Sequence, residues 1–392
     1  MANAYTDVTA LGGLVKTAYD RYVEFALRAQ PMIRAVADKK PAQQAMPGSS
    51  VVFSLYNDLA AATSTLTETS DVDAVALSDV STVSVTLNEY GNASLVTRKL
   101  QLFSLSDVDP AVADIIAYNM ADSLDTVAQN VLVQGTNVIY GGTRTSTATI
   151  TASDTIDSAD LRKAVAKLRS NKAVPRAGSL YWTGIHPEVS HDLRAETGDV
   201  GWRDTHQHTD ASLGNLFAGS IGTYEGAFFI ENPRMYSAKS GADQTALATT
   251  AVTVAGTSAG FTFGVASTSV IASRAEVGDK ISGTGIASGA KISALSTSGS
   301  TTTITVDTAN TAAVTATTVV TVTPVTRVFS TILCGKQALA EAVAQEPNVV
   351  IGPVTDKLMR FRPIGWYGVL GWSLYRQEAL YRIETGSSIA AL

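Results

Sequence analysis

The stretch from Asp109 to Gly135, DPAVADIIAYNMADSLDTVAQNVLVQG, constrains the fold more than any other part of the chain. Val112, Ile115, Ile116, Met120, Leu124, Val127 and Val131 recur at helical spacing, so the sequence predicts one long amphipathic helix. Asp109 suits an N-cap, Pro110 the first helical position, and Gly135 the stop. Asp114, Asp122, Asp125 and Gln129 are expected on the wet side. A helix of this length can serve as a strut across which other elements pack.

Surface charge comes next. Of 392 residues, 45% are hydrophobic and only 16% charged, too little charge for a freely soluble monomer of this size, which predicts extensive burial between subunits. The net charge of −6 argues against a protein whose task is gripping nucleic acid phosphates, although not against one that encloses nucleic acid. Cys334 is the sole cysteine, so no intrachain disulfide can form and Cys-rich metal sites are excluded. MANAYTDVTALGGLVK is not a signal peptide, and no apolar run reaches about 20 residues. These features predict a cytoplasmic origin and no membrane.

In chain order, residues 1–48 read as an arm: a helix with Leu14, Ala18, Tyr22 and Phe25 on one face, a short amphipathic piece from Met32 to Ala37, then turns at Lys39-Lys40-Pro41. Residues 49–105 change to period two, with strands in VVFSLYND and STVSVTLNEYG joined by a long acidic crossing, and a bulge or bend at Gly91. Residues 106–160 hold the long helix. From 161 to 236 strands and helices alternate: a helix over 159–170, the strand SLYWTGI, a helix opened by Pro187, and the strand GTYEGAFFIENP. Residues 237–326 are dominated by Thr, Ser, Ala, Val and Gly, with β-branched runs between Gly turns, and predict an all-β insertion of four or more strands. The α/β pattern resumes over 327–354, where VTRVFSTILCGKQALAEAVAQ reads as a strand followed by a helix, and aromatic return strands fill 355–392.

No stretch carries a convincing active site, and the expected catalytic, cofactor and metal residues are none. Asp204, His206, His208 and Asp210 alternate in RDTHQHTD, which would suit a metal-dependent enzyme, but they match no ligand motif and read better as a solvated loop. His186 and His191 flank a helix start and are expected to cap or pack. Gly283, Gly285 and Gly289 lack the G-x-G-x-x-G spacing and read as turns. Ser190, His191 and Asp192 are neighbours in sequence only, and a triad is assembled by the fold.

The order of elements resembles the major capsid proteins of tailed bacteriophages, with the Hong Kong 97 fold. The resemblance is carried by VVFSLYND, STVSVTLNEYG, NEYGNASLVTRKLQLFSLSDVDP with the helix behind it, LYWTGIHPEV, GTYEGAFFIENP and FRPIGWYGVLGWSLYRQEALYRIE. It implies an α+β subunit with an N-terminal arm, an extended hairpin (E-loop), a peripheral domain built around the spine helix and completed by the return strands of 355–392, and an axial α/β domain. It also implies copies assembled as pentamers and hexamers into an icosahedral shell around double-stranded DNA, built in the host cytoplasm, with scaffolding, portal and decoration proteins as further partners. VGDKISGTGIASGAKIS with TTTITV is similar to small β modules of phage structural proteins. No long scaffolding segment is expected before the core. A non-viral, encapsulin-like shell around protein cargo is the alternative.

Overall fold

The computed structural model describes residues 30–41, 50–55, 81–103, 108–196, 220–354 and 360–389, with isolated positions between 59 and 71 and Leu358. The expected N-terminal helix, most of the acidic crossing and the His206/His208 loop lie outside these residues. The chain forms two compact units, the first centred on Lys39–Thr126 and Glu341–Gly371, the second on Val127–Ala340 and Trp372–Leu392 together with Met32–Asp38.

The first unit holds a four-stranded sheet in the order β1 (Asp38–Pro41), β17 (Leu339–Ile351), β18 (Phe361–Leu374) and β4 (Asn88–Thr97). β18 and β4 run antiparallel from Phe361↔Thr97 to Leu370↔Asn88. Successive side chains alternate between the two faces. Val96, Ile364, Trp366 and Leu370 are buried on one face, where the Trp366 indole donates to Asn119 Oδ1 of the spine helix at 3.0 Å. Asn92 Nδ2 donates to the same oxygen at 3.2 Å.

The spine helix, α2, runs from Val108 to Val133, so its length is close to expectation, but Asp109 lies within the helix and is not its N-cap, and Pro110 is not its first residue. Its buried side differs. Asp125 and Gln129 are buried with Leu124, Ala128 and Leu132, and Gln129 Nε2 donates to the Arg234 carbonyl at 2.8 Å. A polar side chain that finds a fixed backbone partner can take a core position, which the apolar periodicity alone does not reveal. A short helix, α1 (Arg98–Phe103), precedes it.

Three further expectations in this unit are corrected. Lys39-Lys40-Pro41 lies in the edge strand β1, not in a turn. LAEAVAQ is β17, not a helix: its neighbours β1 and β18 supply ladder partners, and that pairing outweighs the helical preference of alanine. Gly91 sits within β4 opposite Tyr367 and makes no bend; a Cβ there would stand 2.8 Å from the Trp366 carbonyl, so the glycine permits close approach.

The expected hairpin is present. β2 (Ser50–Leu55) pairs with β3 (Ser81–Thr86) from Ser50↔Thr86 to Leu55↔Ser81. Phe53 and Val85 are buried at its base. There β3 lies against β18 so closely that a Cβ on Gly371 would collide with the Thr86 carbonyl oxygen.

The second unit contains a seven-stranded sheet ordered β5 (Val138–Tyr140), β19 (Leu380–Thr385), β16 (Val325–Cys334), β6 (Tyr181–Ile185), β8 (Ala227–Glu231), β7 (Ser220–Tyr224). β9 (Ser237–Asp243) takes up the length of the β16 edge that β6 leaves free. GTYEGAFFIENP, read as one strand, is the β7–β8 hairpin, turned at Glu225 and Gly226, which both have positive φ. The last strand, β19, joins this sheet, whereas the sequence reading grouped it with the peripheral strands. Helices α3 (Ser158–Ser170) and α4 (Pro187–Ala195) supply Leu161, Val165, Leu168, Val189 and Leu193 to a core shared with Phe229, Phe329 and Leu333. Each helix has a side-chain cap: Asp157 accepts from the Asp160 amide at 2.7 Å, and His186 from the Glu188 amide at 3.3 Å.

Between β9 and β16 the chain makes a six-stranded sheet ordered β12 (Lys280–Gly283), β15 (Val319–Thr323), β10 (Thr250–Val254), β11 (Thr262–Ala266), β14 (Thr301–Val306), β13 (Ile292–Ser298). The two edges meet at one end. Ile281 N donates to Ala290 O at 2.9 Å, and Ile292 N to Asp279 O at 2.9 Å, so the sheet curls into a small barrel. Inside it Phe263, Val265, Ile271, Ile304, Val306 and Val320 form a separate buried cluster. α5 (Val270–Arg274) plugs the connection between β11 and β12.

Candidate assembly surfaces

The residues with catalytic potential are used structurally. His186 caps α4 and packs on Phe329 with ring centroids 4.8 Å apart; burial holds its pKa below the usual histidine value. Ser190, His191 and Asp192 do not form a relay. Ser190 donates to Glu231 at 2.7 Å and accepts from Arg194 at 2.7 Å. Asp192 accepts from the Ser388 amide at 2.9 Å and from its hydroxyl, pinning the chain beyond β19 onto α4. Cys334 is buried in β16, and burial pushes its thiol up to about 12, far from a reactive thiolate. Gly285 and Gly289 have positive φ and occupy turns of the barrel, as the spacing suggested. Among the described residues no three His, Cys, Asp or Glu side chains gather as a metal site.

The unusual surface lies in the first unit. Where β17 passes into β18 and β4 into α1, large apolar side chains stand in the open. Leu102 is 73% exposed and Phe103 76%, and Leu95, Val350, Ile351 and Leu358 are also exposed. Arg98 N donates to Arg360 O at 2.8 Å and ties the two chain segments, while Gly352 N donates to Pro363 O at 2.9 Å within the first of them. Arg98, Arg360 and Arg362 line a concavity of about 340 Å³ beside them, with Val96, Val354 and Phe361. Among the described lining residues there is no carboxylate. Among the described strands β4 is also the edge of its sheet, with most of its length exposed. An exposed edge and a contiguous apolar patch are liabilities in a free monomer and are ordinarily covered by another chain.

The hairpin side is complementary in kind. From Pro41 to Thr97 the sequence has six carboxylates, Asp58, Glu68, Asp71, Asp73, Asp79 and Glu89, and no lysine or arginine. Leu59 and Leu66 of the crossing are exposed, as is Val52 of β2. The sequence reading identified the acidic crossing but not the arginines, which lie far apart in the chain and are brought together only by strand pairing.

Among the described residues no reactive centre is evident, and the exposed apolar surface and sheet edge are of the kind that another chain ordinarily covers. The comparisons with known proteins specify the kind of protein. The model of the family described as phage capsid protein matches residues 15–380, so this chain belongs to that family and is a capsid subunit. Among solved structures it is similar to the capsid of Ralstonia phage GP4, at 12% identity and a TM-score of 0.61, with 98% of each chain covered. The capsid of Cyanophage P-SCSP1u matches at 12% identity and a TM-score of 0.59, covering 99% of this chain and 97% of the other. That of Cyanophage Pam1 matches at 13% identity and 0.58, over 99% and 100%. At such identities these likenesses speak for the fold. No curated protein matches the sequence.

Proposed function

We propose that the chain is the major subunit of an icosahedral phage shell of the Hong Kong 97 type. In this reading copies join as pentamers and hexamers, enclose double-stranded DNA without reading its sequence, and assemble in the host cytoplasm. The first unit is the peripheral domain, the seven-stranded sheet with α3 and α4 the axial domain, and the barrel an insertion on the latter. The role is structural, not enzymatic. The observation that carries the reading is the exposed apolar end of the four-stranded sheet, which no described part of the same chain covers. Its neighbouring arginines match the charge of an acidic hairpin crossing from another copy. The same contact repeated around a ring closes capsomers. Scaffolding, portal and decoration proteins are the further partners of such a shell, and a protein-filled, encapsulin-like shell is less favoured by the family match.

Sedimentation and electron microscopy of the purified chain, with a scaffold if one is required, test the reading. Closed particles or capsomers are expected. A stable monomer under every assembly condition overturns it.

A further inference from the structure

β9 and β16 leave the seven-stranded sheet as a pair and carry the barrel at their ends. Val325 pairs with Asp243, and Gln244 N donates to Pro324 O at 2.8 Å. Two chain crossings alone would leave a hinge. Yet the charges of the barrel are not spread over it. Between Gln244 and Pro324 the charged residues are Arg274, Glu276, Asp279, Lys280, Lys291 and Asp307, and the first four fall from the last residue of α5 to the first of β12, across one turn.

That turn is pressed against β9 and β16. Lys239 Nζ of β9 is 2.6 Å from Asp279 Oδ1 and 3.0 Å from Glu276 Oε2. Arg327 of β16 reaches the same Glu276 oxygen at 3.2 Å. Asp279 is fully buried, and its two oxygens also accept from the Val325 amide at 3.1 Å and the Glu276 amide at 2.8 Å. The hydrogen bond from Lys239 holds the Glu276 carboxyl below the usual range. Gly278, at φ +98°, lets the turn lie flat on Lys239; a Cβ there would stand 3.0 Å from that side chain. At the rim, Lys280 donates to both oxygens of Asp243 at 2.6 and 2.8 Å. Beside the cluster is a cleft of about 770 Å³, lined by Gln244 to Ala248, Arg274 and Arg327, into which a released barrel has room to rock.

We propose that this cluster is a clasp that fixes the barrel in one orientation on the α/β body, with Asp279 as the positioning residue. Opening the clasp frees the barrel as an intact unit, because the barrel's apolar cluster contains none of these side chains. A buried charge that loses its partner is strongly unfavourable, whereas removal of both partners is tolerated. The exposed Lys280–Asp243 pair adds little.

Hydrogen exchange on the full chain, read peptide by peptide, tests this. Asp279→Asn and Lys239→Met should each raise exchange at 243–247 and 324–327 by tenfold or more, while 262–266 and 301–306 keep their protection. The double variant Lys239→Met/Asp279→Asn, which removes both charges and keeps a side-chain oxygen for a junction amide, should recover most of the lost protection, and Lys280→Ala should change it less than twofold. Unchanged protection at the junction in both single variants overturns the clasp. Equal loss inside the barrel overturns it too, since Asp279 would then hold the barrel's own fold together. The readout is independent of whether subunits assemble.

Discussion

The barrel, with its β-branched strands, and the four-stranded sheet, whose strands are rich in Ala, Gly and aromatics, dispose of apolar surface in opposite ways. The barrel joins its own edges and turns Phe263, Ile304 and Val320 inward, so its core is complete within one chain. The four-stranded sheet buries one face against the spine helix but leaves β4 as an open edge and Leu102 and Phe103 in water. The first region closes its core within the chain; in the second, among the described residues, apolar surface stays open, and in the proposed shell another copy covers it. Stability and assembly are therefore expected to respond to different residues.

The sharpest way to break this contrast is to truncate each region and read both properties. Phe263→Ala should destabilise the barrel by about 3–5 kcal/mol, visible as early loss of exchange protection over 250–323 with the seven-stranded sheet still protected. Comparable loss across the whole second unit would show that the barrel is not self-contained. Next in size, Gly371→Ala places a methyl group on the Thr86 carbonyl and should cost about 1–3 kcal/mol, read as a lowered unfolding midpoint with fraying of β2 and β3. A neutral result would mean that the hairpin base does not rest on its own β18. Smaller still for the isolated subunit, Leu102→Ser with Phe103→Ser should shift its stability by less than about 0.5 kcal/mol per site. The same pair should abolish particle formation in sedimentation. Intact particles would remove the apolar patch from the assembly argument.

The smallest effect concerns His186. Burial lowers its folded pKa, so the unfolded chain takes up a proton first as pH falls. Its contribution is fully present above the unfolded value of about 6.5 and fades between there and the lower folded value. His186→Gln should flatten that part of a stability-versus-pH curve; an unchanged slope would assign it to other groups.

Much of the architecture was legible in the sequence because it rests on local periodicity. The 3.6-residue pattern located the spine helix to within two residues of its ends, and alternation located β2, β3 and the Thr-rich strands. What failed needed tertiary partners. LAEAVAQ is a strand because β1 and β18 flank it, Gln129 is buried because the Arg234 carbonyl receives it, and β19 joins the seven-stranded sheet through pairing with β16. The candidate surface was half legible. The acidic crossing is contiguous, but Arg98 and Arg362 meet only through the β4–β18 register.

The pairing of Val325 with Asp243 has a consequence for how such a chain can change over time. It is a seam: everything between the two residues leaves and re-enters the body at one rung of a ladder. The entropic cost of closing a loop across that rung rises only slowly with the length spanned, by about 0.6 kcal/mol for each doubling. A short turn, the present barrel or an unrelated domain of similar size could therefore occupy the seam at nearly equal cost to the body. Recombination at this point can exchange the domain carried there while leaving the β9–β16 ladder that carries it in place.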